Sequence, residues 1–346
     1  MELGERKLKI LQAIIDDYIM TAVPVGSRTI SKKYSVGLSS ATIRNEMSDL
    51  EDLGYLDQPH TSAGRVPSDK AYRLYVDKLM KVTQLSAAEA ERVKRYFDNR
   101  IDEIEQVIRQ TAKALSNVTN YTSLVLTPQL NKVMIKHVQL VPLQPGTALV
   151  VVVTDSAIVK DVVIRVPEEI DADYLFRISK MLSERFTGHF VEEIDVYLLD
   201  DLEREIHLHR KFFHSIIEAL NRSLKVPDDS DVVLGGASNI LNFPEYSDIE
   251  KARSFLAALE EKELLYQMLT KSTDCEISIS IGNENEYGEM KDCSIVTATY
   301  RIGNRTLGSI GVIGPTRMKY ANVVSVLDFM RKSLSEILTN ISGHDT

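Results

Sequence analysis

Apolar residues Leu8, Leu11, Ile14, Ile15, Tyr18 and Ile19 recur at intervals of three and four, which predicts a helix over residues 5–20 with one buried face. Pro24 ends it, because the residue before a proline is pushed out of the helical region. A second, short helix is expected over 27–34, with Ser27 as its N-cap and Ile30 inward, and Gly37 supplies a tight turn. Ser39 suits the N-cap of a third helix whose inward stripe is Ile43, Met47, Leu50 and Leu53. That helix stops at Gly54. Residues 55–67 then form two short extended runs around a Thr61-Ser62-Ala63-Gly64 tip, the pattern of a hairpin. A fourth helix, capped by Ser68, carries Tyr72, Tyr75, Val76 and Leu79. Helix, helix, turn, helix and hairpin in this order predict a winged helix-turn-helix over residues 1–80.

Further along, Ser86 and Glu89 make a capping box, and Val93, Phe97, Ile101, Ile104, Ile108, Leu115 and Val118 keep a near-heptad spacing. One long helix over 86–117 is expected. Residues 124–126 read as a strand, and the apolar runs 138–143, 148–153 and 158–166, separated by Pro145-Gly146 and Asp155-Ser156, read as an antiparallel meander. Helical patterns fill 172–224. Strand patterns return at 232–234, 277–281, 294–300 and 307–313, the last two joined by the turn Ile302-Gly303-Asn304-Arg305. A closing helix over 320–341 places Val323, Leu327, Met330, Leu334, Ile337 and Ile341 on one face and is expected to lie against the first long helix. The fold class is α+β multidomain.

Composition agrees with a folded, multidomain chain. At 346 residues it exceeds the roughly 100 to 200 residues of one ordinary domain, and its apolar fraction is 44%. The N-terminus lacks an apolar signal core and no run approaches a membrane span, so the expected location is cytoplasmic, with no membrane partner. Cys275 and Cys293, in neither a metal-ligand nor a disulfide spacing, read as buried strand residues in a reducing compartment.

The net charge of -9 argues at first against nucleic acid, which is bound by neutralising phosphates. Its distribution changes the picture. Residues 1–80 carry eleven basic and eleven acidic residues, so the remainder holds the whole deficit, and residues 24–45 contain Arg28, Lys32, Lys33 and Arg44 but no acid. On the third helix, Ser40, Thr42, Arg44, Asn45 and Ser48 face away from the apolar stripe. Arg pairs bidentately with guanine, Asn with adenine, and small hydroxyls admit the backbone, so this face is the candidate base reader. Arg28, Thr29, Lys32 and Lys33, with His60, Thr61, Ser62 and Arg65 in the hairpin, are the candidate phosphate contacts.

The strings Pro24 to Ile30, Ser39 to Met47, Gly54-Tyr55-Leu56 and Gln58 to Pro67 resemble the heat-inducible transcription repressor family, HrcA. So do Asp292 to Tyr300 and Gly308 to Arg317. The resemblance implies a homodimeric repressor of chaperone operons that binds an inverted-repeat operator called CIRCE on double-stranded DNA and is kept active by the chaperonin GroEL. It also implies that the winged helix is followed by a GAF-like α/β domain, placed here at 86–130 and 230–342 with helices on one side of its sheet. An inserted dimerisation domain of antiparallel sheet plus helices would fill 131–229.

Other chemistries find less support. Glu203, His207 and His214 share a helical face that zinc or iron uses, but the segment is rich in other charges and His209 points elsewhere, so no metal is expected. Gly308, Gly311 and Gly314 do not form a dinucleotide fingerprint and are expected to let a strand approach a helix. No motif supports a nucleophilic triad or paired carboxylates, so neither an enzyme nor a cofactor is expected. The rival is a metabolite-responsive winged-helix regulator that senses a small molecule through its GAF-like domain.

Overall fold

The fold is taken from a computed structural model, which describes residues 3–34, 37–59, 64–97, 104–128, 134–155, 159–190, 216, 218, 232–271, 275–302 and 305–341. The first helix, α1 (Glu5–Thr21), buries Ile10, Leu11, Ile14, Ile15 and Ile19. It closes at Ala22, whose left-handed backbone (φ 55°) lets its N–H bond to the Tyr18 carbonyl, two residues before Pro24 acts. In α2 (Ser27–Lys33) the expected cap is displaced by one: Gly26 is the N-cap, and Ser27 is the first helical residue with no capping bond. Ser39 does cap α3 (Ser40–Asp52), accepting from the Thr42 N–H at 3.1 Å. Ile43, Met47 and Leu50 are buried, but Leu53 is exposed because it is the C-cap, where the helical period ends.

Two short strands, β1 (Leu56–Asp57) and β2 (Val66–Pro67), pair antiparallel with Leu56 opposite Pro67. Ser68 caps α4 (Asp69–Leu74), which continues as one π turn over Tyr75–Leu79. The long helix expected over 86–117 is two helices. The capping box opens α5 (Ala87–Lys94), a 3-10 turn follows over Arg95–Phe97, and α6 spans Ile104–Thr119. Tyr96 and Phe97 lie in that turn, and aromatic residues are weaker helix formers.

A five-stranded antiparallel sheet is built from β3 (Thr122–Leu126), β7 (Val232–Gly235), β8 (Ile277–Ile281), β9 (Cys293–Ile302) and β10 (Arg305–Pro315), in the order β7-β3-β10-β9-β8. Its register sets Gly311 opposite both Leu124 and Thr297. A second sheet, β4 (Ile135–Gln144), β5 (Thr147–Thr154) and β6 (Val159–Arg165), is an antiparallel meander. Val138, Leu140, Val150 and Val152 on its inner face meet α7 (Ala172–Phe186), which contributes Leu175, Ile178, Leu182 and Phe186. The helical pattern expected beyond 190 falls almost wholly outside the described residues, as does the turn at Gly303-Asn304.

The larger sheet has helices on both faces, not one. Val296, Ala298, Ile310 and Val312 point to α6 and to α10 (Tyr320–Ile341), which pack on each other. Ile295, Ile313, Leu124 and Leu126 point to α8 (Ile249–Glu260) and α9 (Lys262–Thr270). This explains why β9 and β10 are buried along nearly their whole length rather than alternating. The glycines of β10 serve side-chain approach more than helix approach: a Cβ on Gly308 would sit 2.5 Å from the Tyr300 hydroxyl and one on Gly314 2.5 Å from the Tyr121 ring. Cys293 is buried in β9, but Cys275 lies just before β8 and is exposed.

Candidate nucleic-acid interface

The 3.6-residue period of α3 turns Ala41, Arg44, Asn45 and Ser48 to one exposed side while Ile43, Met47 and Leu50 enter the core. Arg44, Asn45 and Ser48 make no side-chain hydrogen bond or ion pair among the described residues, so their donors are open to an incoming ligand. Ser40 and Thr42 are half-buried, and the Thr42 hydroxyl lies 2.9 Å from the Ser39 hydroxyl within the cap. The structure therefore brings together Ala41, Arg44, Asn45 and Ser48, and leaves Ser40 and Thr42 at the margin. Ala41 carries no polar group, and its only signal in the sequence is its place three residues before Arg44.

Acids on α3 would repel a polyanion unless neutralised. Lys7 on α1 does this, reaching Glu46 at 2.7 Å and Asp49 at 2.8 Å, with Arg6 at 3.6 Å from Glu46. Hydrogen bonds donated to Asp49 and then to Glu46 hold the Lys7 ammonium above its ordinary pKa. Glu51 is matched in turn by Arg65, whose Nε and terminal nitrogen both reach it at 2.7 Å.

The basic residues fall into two groups. Arg28 and Lys32 are exposed and have no partner among the described residues, and Thr29 is exposed beside them. Lys33 instead pairs with Asp17, a residue only 4% exposed, and also approaches the Tyr34 ring. The Asp17 hydrogen bond raises the Lys33 pKa and ties α2 to α1. Arg65 is likewise engaged. Its backbone bridges Val25 through two bonds, of 2.8 and 2.9 Å, and its side chain holds Glu51. The two-stranded ribbon is thus anchored to the α1–α2 connection and to the end of α3. Gly64 permits this closeness, since a Cβ there would meet the Val25 carbonyl carbon and oxygen at 2.5 Å. His60, Thr61 and Ser62 lie outside the described residues, as do Glu203, His207, His209 and His214.

Among the described residues no group of three or more His, Cys, Asp or Glu is arranged to hold a metal, and no helix is long and apolar enough to cross a membrane. Open donors on one helix face, flanked by the free cations Arg28 and Lys32 and with Glu46, Asp49 and Glu51 already paired, suit recognition of a polyanion.

Known proteins agree with this reading. Residues 105–324 match the family model described as the HrcA protein C terminal domain. Proteins named heat-inducible transcription repressor HrcA are similar along the chain. That of Ruminiclostridium cellulolyticum is 48% identical over 339 residues, covering 97% of each chain. That of Alkaliphilus metalliredigens is 46% identical over 338 residues, covering 98% of each. A solved structure described only as a hypothetical protein at 2.2 Å resolution aligns with a TM-score of 0.64 at 25% identity, covering 98% of this chain and all of that one. The family comprises DNA-binding transcription repressors of the heat-shock response, not enzymes. Matched through both its N-terminal module and its C-terminal sheet, the chain belongs to the heat-inducible transcription repressor family, HrcA.

Proposed function

We propose that residues 1–80 act as a winged helix-turn-helix in the cytoplasm, presenting α3 to the major groove of an inverted-repeat operator of the CIRCE type. A homodimer joined through an inserted domain at 131–229 presents two such helices to two half-sites. A GAF-like domain, residues 86–130 and 230–342, connects the reader to the dimer, and chaperonin GroEL maintains activity. Arg44, Asn45 and Ser48 read bases, with Ser40 and Thr42 at the edge of the contact. Arg28, Thr29 and Lys32 meet phosphates, joined by His60, Thr61 and Ser62 of the wing. Lys33 and Arg65 hold the frame.

The observation that carries this reading is the exposed, unpaired face of Arg44, Asn45 and Ser48, set on a helix where Lys7 matches Glu46 and Asp49 and Arg65 matches Glu51. A binding titration over a salt range, on inverted-repeat and scrambled duplexes, tests it. Arg44→Ala is expected to lose about 1–3 kcal/mol on the inverted repeat and to relax sequence preference, whereas Lys32→Ala weakens all duplexes alike and lowers the salt slope by about 1. Equal wild-type affinity for both duplexes would refute the reading.

A further inference from the structure

The helical module does not hang from a loose tether. The first turns of α4 meet the edge of the larger sheet, where β8 has no strand beyond it among the described residues. Asp69 Oδ2 accepts from the backbone N–H and the side-chain amide of Asn283, both at 2.9 Å. One turn later Arg73 donates through Nε to Glu284 at 2.8 Å, through a terminal nitrogen to the other Glu284 oxygen, and to the Ile279 carbonyl at 2.6 Å. Glu284 also accepts from the Ile281 N–H at 2.9 Å, which fixes its carboxylate. Gly282 completes the socket. Its φ is +53°, and a Cβ on it would fall 2.1 Å from Asp69 Oδ2, so only glycine admits the carboxylate.

These contacts do two things at once. They satisfy a carbonyl on the free edge of β8, and they set the direction of α4 through a planar, two-pronged guanidinium that tolerates little rotation. The apolar part of the same seam is less selective: Tyr72 packs against Tyr320 of α10 with ring centroids 6.0 Å apart, and its buried hydroxyl finds no partner among the described residues. Away from the latch, Arg317 holds the Ile19 carbonyl at 3.1 Å and the Ser325 hydroxyl bonds the Thr83 carbonyl.

We infer that Asp69, Arg73 and Glu284 form an orientation latch, which fixes the reading helix relative to the dimerising body and so sets the half-site separation that the repressor accepts. The inference rests on the proposed two-half-site reading. A rigidly joined pair of readers gains avidity only when the sites match its span, and a loosened pair loses that gain while each reader keeps its own affinity.

The test compares wild type with Arg73→Ala, Glu284→Ala and Glu284→Gln. The Gln variant keeps the size of the side chain and an acceptor for the Ile281 N–H, but removes the charge facing Arg73. Each is measured on three duplexes: one half-site, the inverted repeat, and the repeat with its spacer lengthened by a few base pairs. Thermal melting reports folding. The latch predicts half-site affinity within twofold of wild type, inverted-repeat affinity reduced by about tenfold or more, and a flattened preference for spacer length. Unchanged inverted-repeat affinity and spacer preference in all three variants overturn it. So does an equal loss on half-site and full site, which would mean a merely structural role within the module. A wild type that does not prefer the inverted repeat overturns the underlying reading and the latch with it.

Discussion

Replacing Gly64 by alanine should detach the root of the ribbon. The new methyl carbon would lie 2.5 Å from both the carbonyl carbon and oxygen of Val25, and 2.7 Å from the Pro24 carbonyl carbon. These are backbone atoms that cannot swing aside. Relief requires opening the Val25–Arg65 bridge, with its two hydrogen bonds of 2.8 and 2.9 Å. Opening forfeits two such bonds, about 1 kcal/mol each, whereas staying closed costs about 1–3 kcal/mol of forced overpacking, so closing the root becomes less favourable by roughly 1–3 kcal/mol. If operator binding needs the closed root, each 1.4 kcal/mol of that cost appears as about tenfold in affinity, and a loss of about 5- to 150-fold is expected. The assay is a titration of operator duplex by fluorescence anisotropy, paired with thermal melting. Gly288→Ala is the control, because its added carbon meets nothing within 4 Å and should change stability by less than about 0.5 kcal/mol. A Gly64→Ala protein that melts and binds operator like wild type would refute the argument.

Two further outcomes test individual side chains. Glu51→Gln should release the Arg65 guanidinium towards phosphate, raising affinity for scrambled duplex and steepening the salt slope by about 0.9; an unchanged slope would mean that Arg65 stays in place without its anion. Burial pushes the Cys293 thiol up to about 11, against a smaller downward pull from the Tyr246 hydroxyl, so at pH 8 a thiol reagent should label Cys275 rapidly and Cys293 only after denaturation. Because the folded value is raised, the contribution of this thiol to stability is complete below about pH 8.5 and is lost as pH rises towards 11. Rapid labelling of both thiols in the native protein would contradict the burial of Cys293.

What the sequence revealed depended on how far apart the interacting residues lie. The Ser39 and Ser68 caps and the Ser86–Glu89 box are written within four residues, and each forms as expected. The exposed side of α3 with Arg44, Asn45 and Ser48 follows from a single helical period. Ser27 was harder to place because Gly26, beside it, is equally fit to start a helix. The ion pairs of Lys33 and Arg65 are hidden from the sequence because their counter-ions, Asp17 and Glu51, sit 16 and 14 residues away on other elements. Arg73 and Glu284 are 211 residues apart, and no periodicity or motif links them. Cys275 follows the same rule: its strand-like neighbours suggest burial, but exposure is decided by where β8 begins.

The strand order of the larger sheet also constrains the order in which the molecule is made. Val125 is paired on one side by Val233 and on the other by Ile310, so β3 leaves the ribosome long before either neighbour exists. The N-terminal helices have their partners close in sequence and can fold early, as short-range topologies do. The socket for Asp69 and Arg73 cannot be in place until β8 has been synthesised and stitched to β9, and β9 reaches β3 only through β10. A nascent chain can therefore complete the contacts among its first four helices long before it can make those that join Asp69 and Arg73 to the sheet.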